Sequence, residues 1–467
     1  MPLPAQLAFT PLDQLARKLR AGEFTSLELT QFFLERLTRL GPRCGAVATL
    51  CTDLALADAR RADEDLKAGR DRGPLHGLPL GVKDLLAVPG YPTTWGAAPF
   101  RDTVRDGEAT VVRKLREAGA ILVAKLAMIE LAGGLGYRQG NASWTGPAKN
   151  PWDESTWAGG SSSGSGAAVA AGLVPVAIGS ETWGSILTPA SYCGVVGYRP
   201  TYGLVSKAGA MALSWSMDKL GPLTRTAADA ATLVAAIAGV DPVDDSTVDR
   251  PFQPLKGPFD GPYRVGILRD PKEKVQPAIA QSFAASLDIL ATCAELEPVS
   301  LPDLPYATVA GTLIACEMSA AFEPLVASGA VWELTAPEDR PGAHAAQFIP
   351  ARDYIHALRI RAKMVRALDE LFQKFDAIVA PATATTAVAL DRDFGESQFG
   401  FRASQLGAAS NVCGLPGLFL PNGFDDHHRP TSIQLVGRAF TDARLLALGQ
   451  ALQARTTWHE QSPKGWD

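Results

Sequence analysis

Residues Gly159 to Gly172 read GGSSSGSGAAVAAG: three consecutive serines wrapped in glycine and running straight into an alanine-rich apolar segment. A flexible linker would need polar, low-complexity flanks. Here Ala167 to Gly172 continues as a helix-like apolar run, and LVPVAIG (173–179) follows as a core strand. The stretch therefore belongs inside a folded core, where glycine permits unusual backbone angles and the close approach of another group. A nucleotide cradle would need Gly-Lys-Ser/Thr after the glycines, or Gly-x-Gly-x-x-Gly directly after a strand. No lysine follows, and the preceding NPWDESTWA reads as no strand, although a serine-rich helix start can still attract an anion. Residues 160–164 also fit the Gly-x-Ser-x-Gly elbow with Ser162 as nucleophile, but the same lack of an upstream strand weighs against it. Ser216-Met217-Asp218-Lys219 matches Ser-x-x-Lys without the Lys-Thr-Gly and Ser-Asp-Asn that would accompany it.

What remains is a serine relay served by a lysine, and two other segments join it. GLPLGVKDLL places Lys83 inside an apolar run, where desolvation lowers an ammonium's pKa and makes the amine a base near neutral pH. Asp84 is a poor neutralising partner if this run is extended, because successive side chains point to opposite faces. After the core strand the chain turns through Trp183-Gly184-Ser185, which presents Ser185 beside successive backbone N–H groups, the usual receptor for a tetrahedral intermediate's charge.

The rest of the chain sets bounds. Its 467 residues, 46% hydrophobic and 20% charged, are ordinary for a globular protein. The 44 basic and 49 acidic residues leave a formal charge of −5 with no basic run, so a small neutral substrate is expected and nucleic acid is not. The start lacks a signal-peptide pattern, and the longest apolar run, Ala167 to Ile178, is too short and broken to span a bilayer. A cytoplasmic protein without membrane association is expected. Cys44, Cys51, Cys193, Cys293, Cys316 and Cys413 lack Cys-x-x-Cys spacing and read as buried free thiols, and His427 and His428 sit in a polar turn.

TSLELTQFFLERLTRL (25–40) predicts a helix with a Thr25/Glu28 capping box and Leu29, Phe32, Phe33 and Leu37 on one face. ALADARRADEDLKAG (55–69) predicts a second. The runs LPLGVKDLL, AILVAKL, VPVAIGS, YRVGIL and DAIVAPA alternate with helical stretches, the rhythm of an α/β sheet covered by helices. Residues 241–262, rich in proline and charge, read as a long surface connection within one domain spanning 1–467.

Taken together, GLPLGVKD (77–84), the run from NPWDESTWAGGSSSGSG through GSETWGSILTPASYCGVVGYRPTYGLVS (150–206), and SMDKLGPLTRTAADAA (216–231) resemble the amidase signature family. The resemblance extends from the first helix to GLPGLFLPNGF and SIQLVGRAF, with a core at about residues 75–230. It implies one large α/β domain with a central mixed, twisted sheet covered by helices on both faces. It further implies Lys83 as base, Ser161 as bridging serine after a cis peptide bond, and Ser185 as nucleophile. The N–H groups of Thr182, Trp183, Gly184 and Ser185 would hold the oxyanion, and Ser162 and Ser163 would support the network. No metal or organic cofactor is called for.

The family commonly has Asp-Thr-Gly-Gly-Ser-Ile-Arg around the nucleophile, whereas this chain has Glu181-Thr182-Trp183-Gly184-Ser185-Ile186-Leu187. An arginine that would pair with the acid is thus missing. Trp183 becomes a candidate pocket wall with Met128, Tyr137 and Trp144, suited to bulky or aromatic amides, with ester or carbamate side activity. The expected molecule is a monomeric or homodimeric hydrolase of small-molecule amides. The alternatives are a glutaminase-type component of a tRNA-dependent amidotransferase, working with partner chains, and a non-catalytic binding protein.

Overall fold

A buried lysine can act only if the sheet around it is wide enough to exclude water from both faces. The computed structural model, which describes residues 3–255, 262–269, 274–396 and 404–467, shows such a sheet. Thirteen strands occur among the described residues: β1 Val47–Leu50, β2 Pro79–Lys83, β3 Ile121–Leu126, β4 Lys149–Asn150, β5 Asp153–Trp157, β6 Ala177–Glu181, β7 Val196–Arg199, β8 Lys219–Thr224, β9 Tyr263–Leu268, β10 Ala294–Val299, β11 Ala377–Pro381, β12 Gly417–Phe424 and β13 Pro430–Gly437. Eleven form one sheet in the order β1-β3-β2-β6-β8-β7-β12-β13-β11-β9-β10. The pairs β2–β3, β2–β6, β9–β10 and β9–β11 are parallel and the others antiparallel, so the sheet is mixed, with helices on both faces.

The apolar runs found in the sequence supply its interior. Every residue of β2, β3 and β6 is buried, as expected of strands covered on both sides. The first predicted helix runs Ser26–Cys44 and carries the full Thr25/Glu28 capping box. Leu29, Phe33 and Leu37 of its apolar face are buried and Phe32 half-buried. The second predicted helix runs Thr52–Lys67.

The serine–glycine stretch forms the entry to a short helix, Ser163–Ala170, in which every residue is buried. A β-carbon at Gly164 would collide with the backbone of Ala46 and Ala127, so glycine there lets the helix seat directly against its neighbours. One expectation is corrected: NPWDESTWA does contain a strand, β5, paired antiparallel with β4 in a separate two-stranded ribbon. Its polar residues, half-buried Asp153 and Glu154 and exposed Ser155, hide the strand from a hydrophobic-pattern reading.

Within residues 241–262 the described part holds neither helix nor strand, and β9 immediately afterwards joins the same sheet; residues 256–261 lie outside the described residues. The six cysteines are free, four of them buried and Cys293 and Cys316 half-buried. His427 and His428 are exposed. Among the described residues no helix is long and apolar enough to cross a membrane.

Candidate active site

Lys83 ends β2, between β3 and β6, and is fully buried. Its Nζ donates to Ser161 Oγ at 2.7 Å and to Ser180 Oγ at 2.9 Å. Both partners are hydroxyls. Burial lowers its pKa to about 7, partly opposed by the more distant charges of Asp218 and Glu181. Asp84, the next residue, points away as strand geometry requires and pairs with Lys125 of β3, Nζ to Oδ1 2.7 Å.

The Gly160–Ser161 peptide bond is cis. The Ser161 carbonyl accepts from the N–H of Ile129 at 3.1 Å. Ser162 links the two arms of the site: its hydroxyl donates to the Ser180 carbonyl at 3.1 Å and accepts the Ser180 N–H at 3.2 Å, while its own N–H donates to the Ser185 carbonyl at 3.2 Å. Ser163 opens the helix behind them and is buried.

Ser185 sits in the turn between β6 and the helix Leu187–Cys193. Gly184 has φ +90°, a left-handed conformation that favours glycine. Among the described residues, the backbone N–H groups of Thr182, Trp183, Gly184 and Ser185 donate to no protein acceptor, and all four belong to the turn that carries Ser185. The next two, of Ile186 and Leu187, are both taken by Glu181 Oε2 at 2.8 and 2.9 Å.

The arginine missing at Leu187 is replaced from elsewhere. Arg199 of β7, fully buried, reaches Glu181 Oε1 at 2.5 Å and is itself held by the Leu415 carbonyl and Ser410 Oγ. Asn411 Nδ2 also donates to Glu181 at 2.9 Å. Burial pushes the Glu181 carboxyl up, but Arg199, the Leu187 N–H and Lys219 outweigh it and hold the pKa at about 2. The loop thus keeps a carboxylate anchor despite the change at 187. A second brace gives Thr182 a supporting role, with a partner the sequence does not announce: Thr182 Oγ1 donates to Asp218 at 2.5 Å, and Asp218 also accepts the N–H groups of Leu213 and Ser214. Ser180 carries a signal that a strand reading contains, since it alternates with Glu181 on β6 beside β2; Asp218 lies in the quoted SMDK, but its partner Thr182 is 36 residues away.

A cleft of about 460 Å³ opens on Ser185. Trp183 and Tyr137 line it, together with Thr182, Gly184, Gly160 and one face of the helix Tyr306–Ala321. The cleft does not reach the other two pocket candidates. Met128 is fully buried in the apolar core, and Trp144 turns its indole N–H to Thr94 Oγ1 at 2.8 Å. No Lys, Arg, Asp or Glu lines the cleft among the described residues. No group of three or more metal-ligating side chains occurs among the described residues.

The Amidase family model matches residues 28–446. The chain is 35% identical to the A subunit of glutamyl-tRNA(Gln) amidotransferase from Chloroflexus aurantiacus, over 96% of each chain. Among solved structures it resembles the peptide amidase of Stenotrophomonas maltophilia, with a TM-score of 0.87 and 31% identity over 99% of this chain and all of that one. It also resembles the A subunit of glutamyl-tRNA(Gln) amidotransferase from Thermotoga maritima, with a TM-score of 0.78 and 27% identity over 97% of this chain and 96% of that one.

Proposed function

This chain belongs to the amidase family and is at that level an amide hydrolase; from that premise we propose that it releases ammonia from a primary carboxamide through an acyl-enzyme on Ser185. The observation that carries the reading is the buried Lys83 amine, held by hydroxyls alone. A neutral amine there accepts the Ser161 proton as Ser161 takes that of Ser185, whose oxygen attacks the carbonyl. The tetrahedral oxyanion falls among the free N–H groups of residues 182–185; losing one such donor typically costs about 3 kcal/mol in the barrier. The proton then returns through Ser161 to the departing nitrogen, and water attacks the ester by the same route. Ser162 holds the two arms in register, and Thr182 is fixed by Asp218.

The curated relatives favour a glutaminase-type amidotransferase component, working with partner chains, over the bulky or aromatic small-molecule amide expected from Trp183. A second reading, a free-standing amidase, has one specific observation in its favour. A free amino acid carries a carboxylate and an ammonium that need charged or strongly hydrogen-bonding partners when desolvated, and the cleft offers no charged side chain among the described residues. Incubating the isolated chain with glutamine and with uncharged primary amides, and following ammonia, separates the two. Glutamine turnover that appears only with partner chains supports the amidotransferase reading; turnover of uncharged amides by the chain alone supports the other. Loss of ammonia release in Ser185→Ala is required by both.

A further inference from the structure

Five glycines line the cleft, and four of them have a structural reason to be glycine. Gly133 and Gly184 have φ +81° and +90°. A β-carbon at Gly134 would collide with the Leu213 side chain, and one at Gly160 would stand 2.6 Å from the Trp157 ring and 2.8 Å from Ile129. Gly311 has no such reason. It lies inside the helix Tyr306–Ala321, and a β-carbon there would meet no atom within 4 Å. Glycine is a poorer helix former than alanine, so the fold would gain from replacing it.

Gly311 is itself solvent-exposed, and the open side it presents is the mouth of the cleft. Ala307, Thr308, Gly311, Ile314 and Ala315 recur at the spacing of one helical face and form the cavity wall, while Ser185 and Gly160 line the same cleft. We propose that Gly311 is a specificity-determining position: its missing side chain leaves the room occupied by the acyl portion of an extended, uncharged carboxamide. This rests on the second reading above, a free-standing amidase of uncharged amides, and not on the glutaminase-type one, whose substrate carries charge on its acyl side. If ammonia is the leaving group, everything of the substrate that fills the cavity lies on the acyl side, and the helix wall sets its upper size. The chemical class follows from the lining, which offers an extended acyl chain apolar and hydroxyl contacts and no charged side chain among the described residues.

The test follows labelling of Ser185 by intact mass, using an ethyl and an octyl fluorophosphonate whose alkyl chains stand in for short and long acyl groups. The ratio of octyl to ethyl labelling rates should fall about tenfold in Gly311→Leu and by less in Gly311→Ala, because filling a pocket by a few methylenes discriminates on that scale. Ala320→Leu, exposed on the same helix outside the cleft, should keep the parent ratio. Gly311→Ala should also melt at a higher temperature than the parent. An unchanged ratio in both Gly311 variants, or equal loss with both probes, overturns the assignment while leaving the hydrolase reading intact. A parent chain whose Ser185 takes neither probe overturns the hydrolase reading, and this inference with it.

Discussion

Two lysines on adjoining parallel strands, Lys83 on β2 and Lys125 on β3, are both fully buried, yet their surroundings differ in one respect. Lys125 meets the Asp84 carboxylate at 2.7 Å together with Thr93 and the Pro92 carbonyl. Lys83 meets two hydroxyls. Burial pushes the Asp84 carboxyl up and the Lys125 amine down, but each partner opposes the other's shift across 2.7 Å, and the contact fastens β3 to the segment after β2. Hydroxyls accept and donate equally well, so the Lys83 site can hold the amine neutral and pass a proton on. Neighbouring residues of the chain, 83 and 84, thereby serve opposite faces with opposite chemistry.

The sharpest break of that comparison is to remove each lysine in turn. Lys83→Met should lower kcat by about 10²–10⁴-fold, the usual contribution of a positioned base, with a cooperative unfolding transition retained. Lys125→Met should show the reverse emphasis, a loss of about 3–5 kcal/mol in denaturant unfolding, because it strands the buried Asp84 carboxylate. Arg199→Met should cost stability on the same scale by leaving Glu181 without its main counter-charge, again about 3–5 kcal/mol. It should also lower kcat, since Glu181 anchors the N–H groups just beyond Ser185.

Smaller changes sharpen the comparison instead of breaking it. Thr182→Val removes the hydroxyl held by Asp218 and should lower kcat by about tenfold, in line with about 1–3 kcal/mol for an unpaired buried acceptor, with KM little altered. The smallest effect is expected from Ser180→Ala. Losing one acceptor of the Lys83 ammonium disfavours the charged form, so the rising limb of the pH profile should move to lower pH by less than about one unit. A shift to higher pH would mean that Ser180 stabilises the neutral amine.

Much of this site is readable along the chain, and the reason is local. Lys83, Ser161 and Ser185 each sit in a long motif, and the apolar runs around them predict β2, β3 and β6. The helix capped by Thr25 and Glu28 is legible for the same reason, since both partners lie within one turn. What escapes depends on pairing across distance. Arg199 rescues Glu181 from another strand, 18 residues away, and nothing near Leu187 announces it. Asp218 braces Thr182 across 36 residues. Met128 and Trp144 are large side chains close to the motifs, but packing turns one into the core and the other toward Thr94. β5 escapes because a two-stranded polar ribbon buries too little to leave a periodic pattern. Gly311 carries no signal until the helix around it is seen to line the mouth of the cleft.

The claim on which the account turns is that Lys83 is an uncharged amine near neutral pH, and the most direct measurement is the rate of Ser185 phosphonylation as a function of pH. Burial lowers the lysine, so the reactive neutral form is lost as pH falls; the rate should rise with pH along a limb centred at about 7, and this limb should vanish in Lys83→Met. A limb near the ordinary lysine range above about pH 10, or the same limb surviving in Lys83→Met, would contradict it.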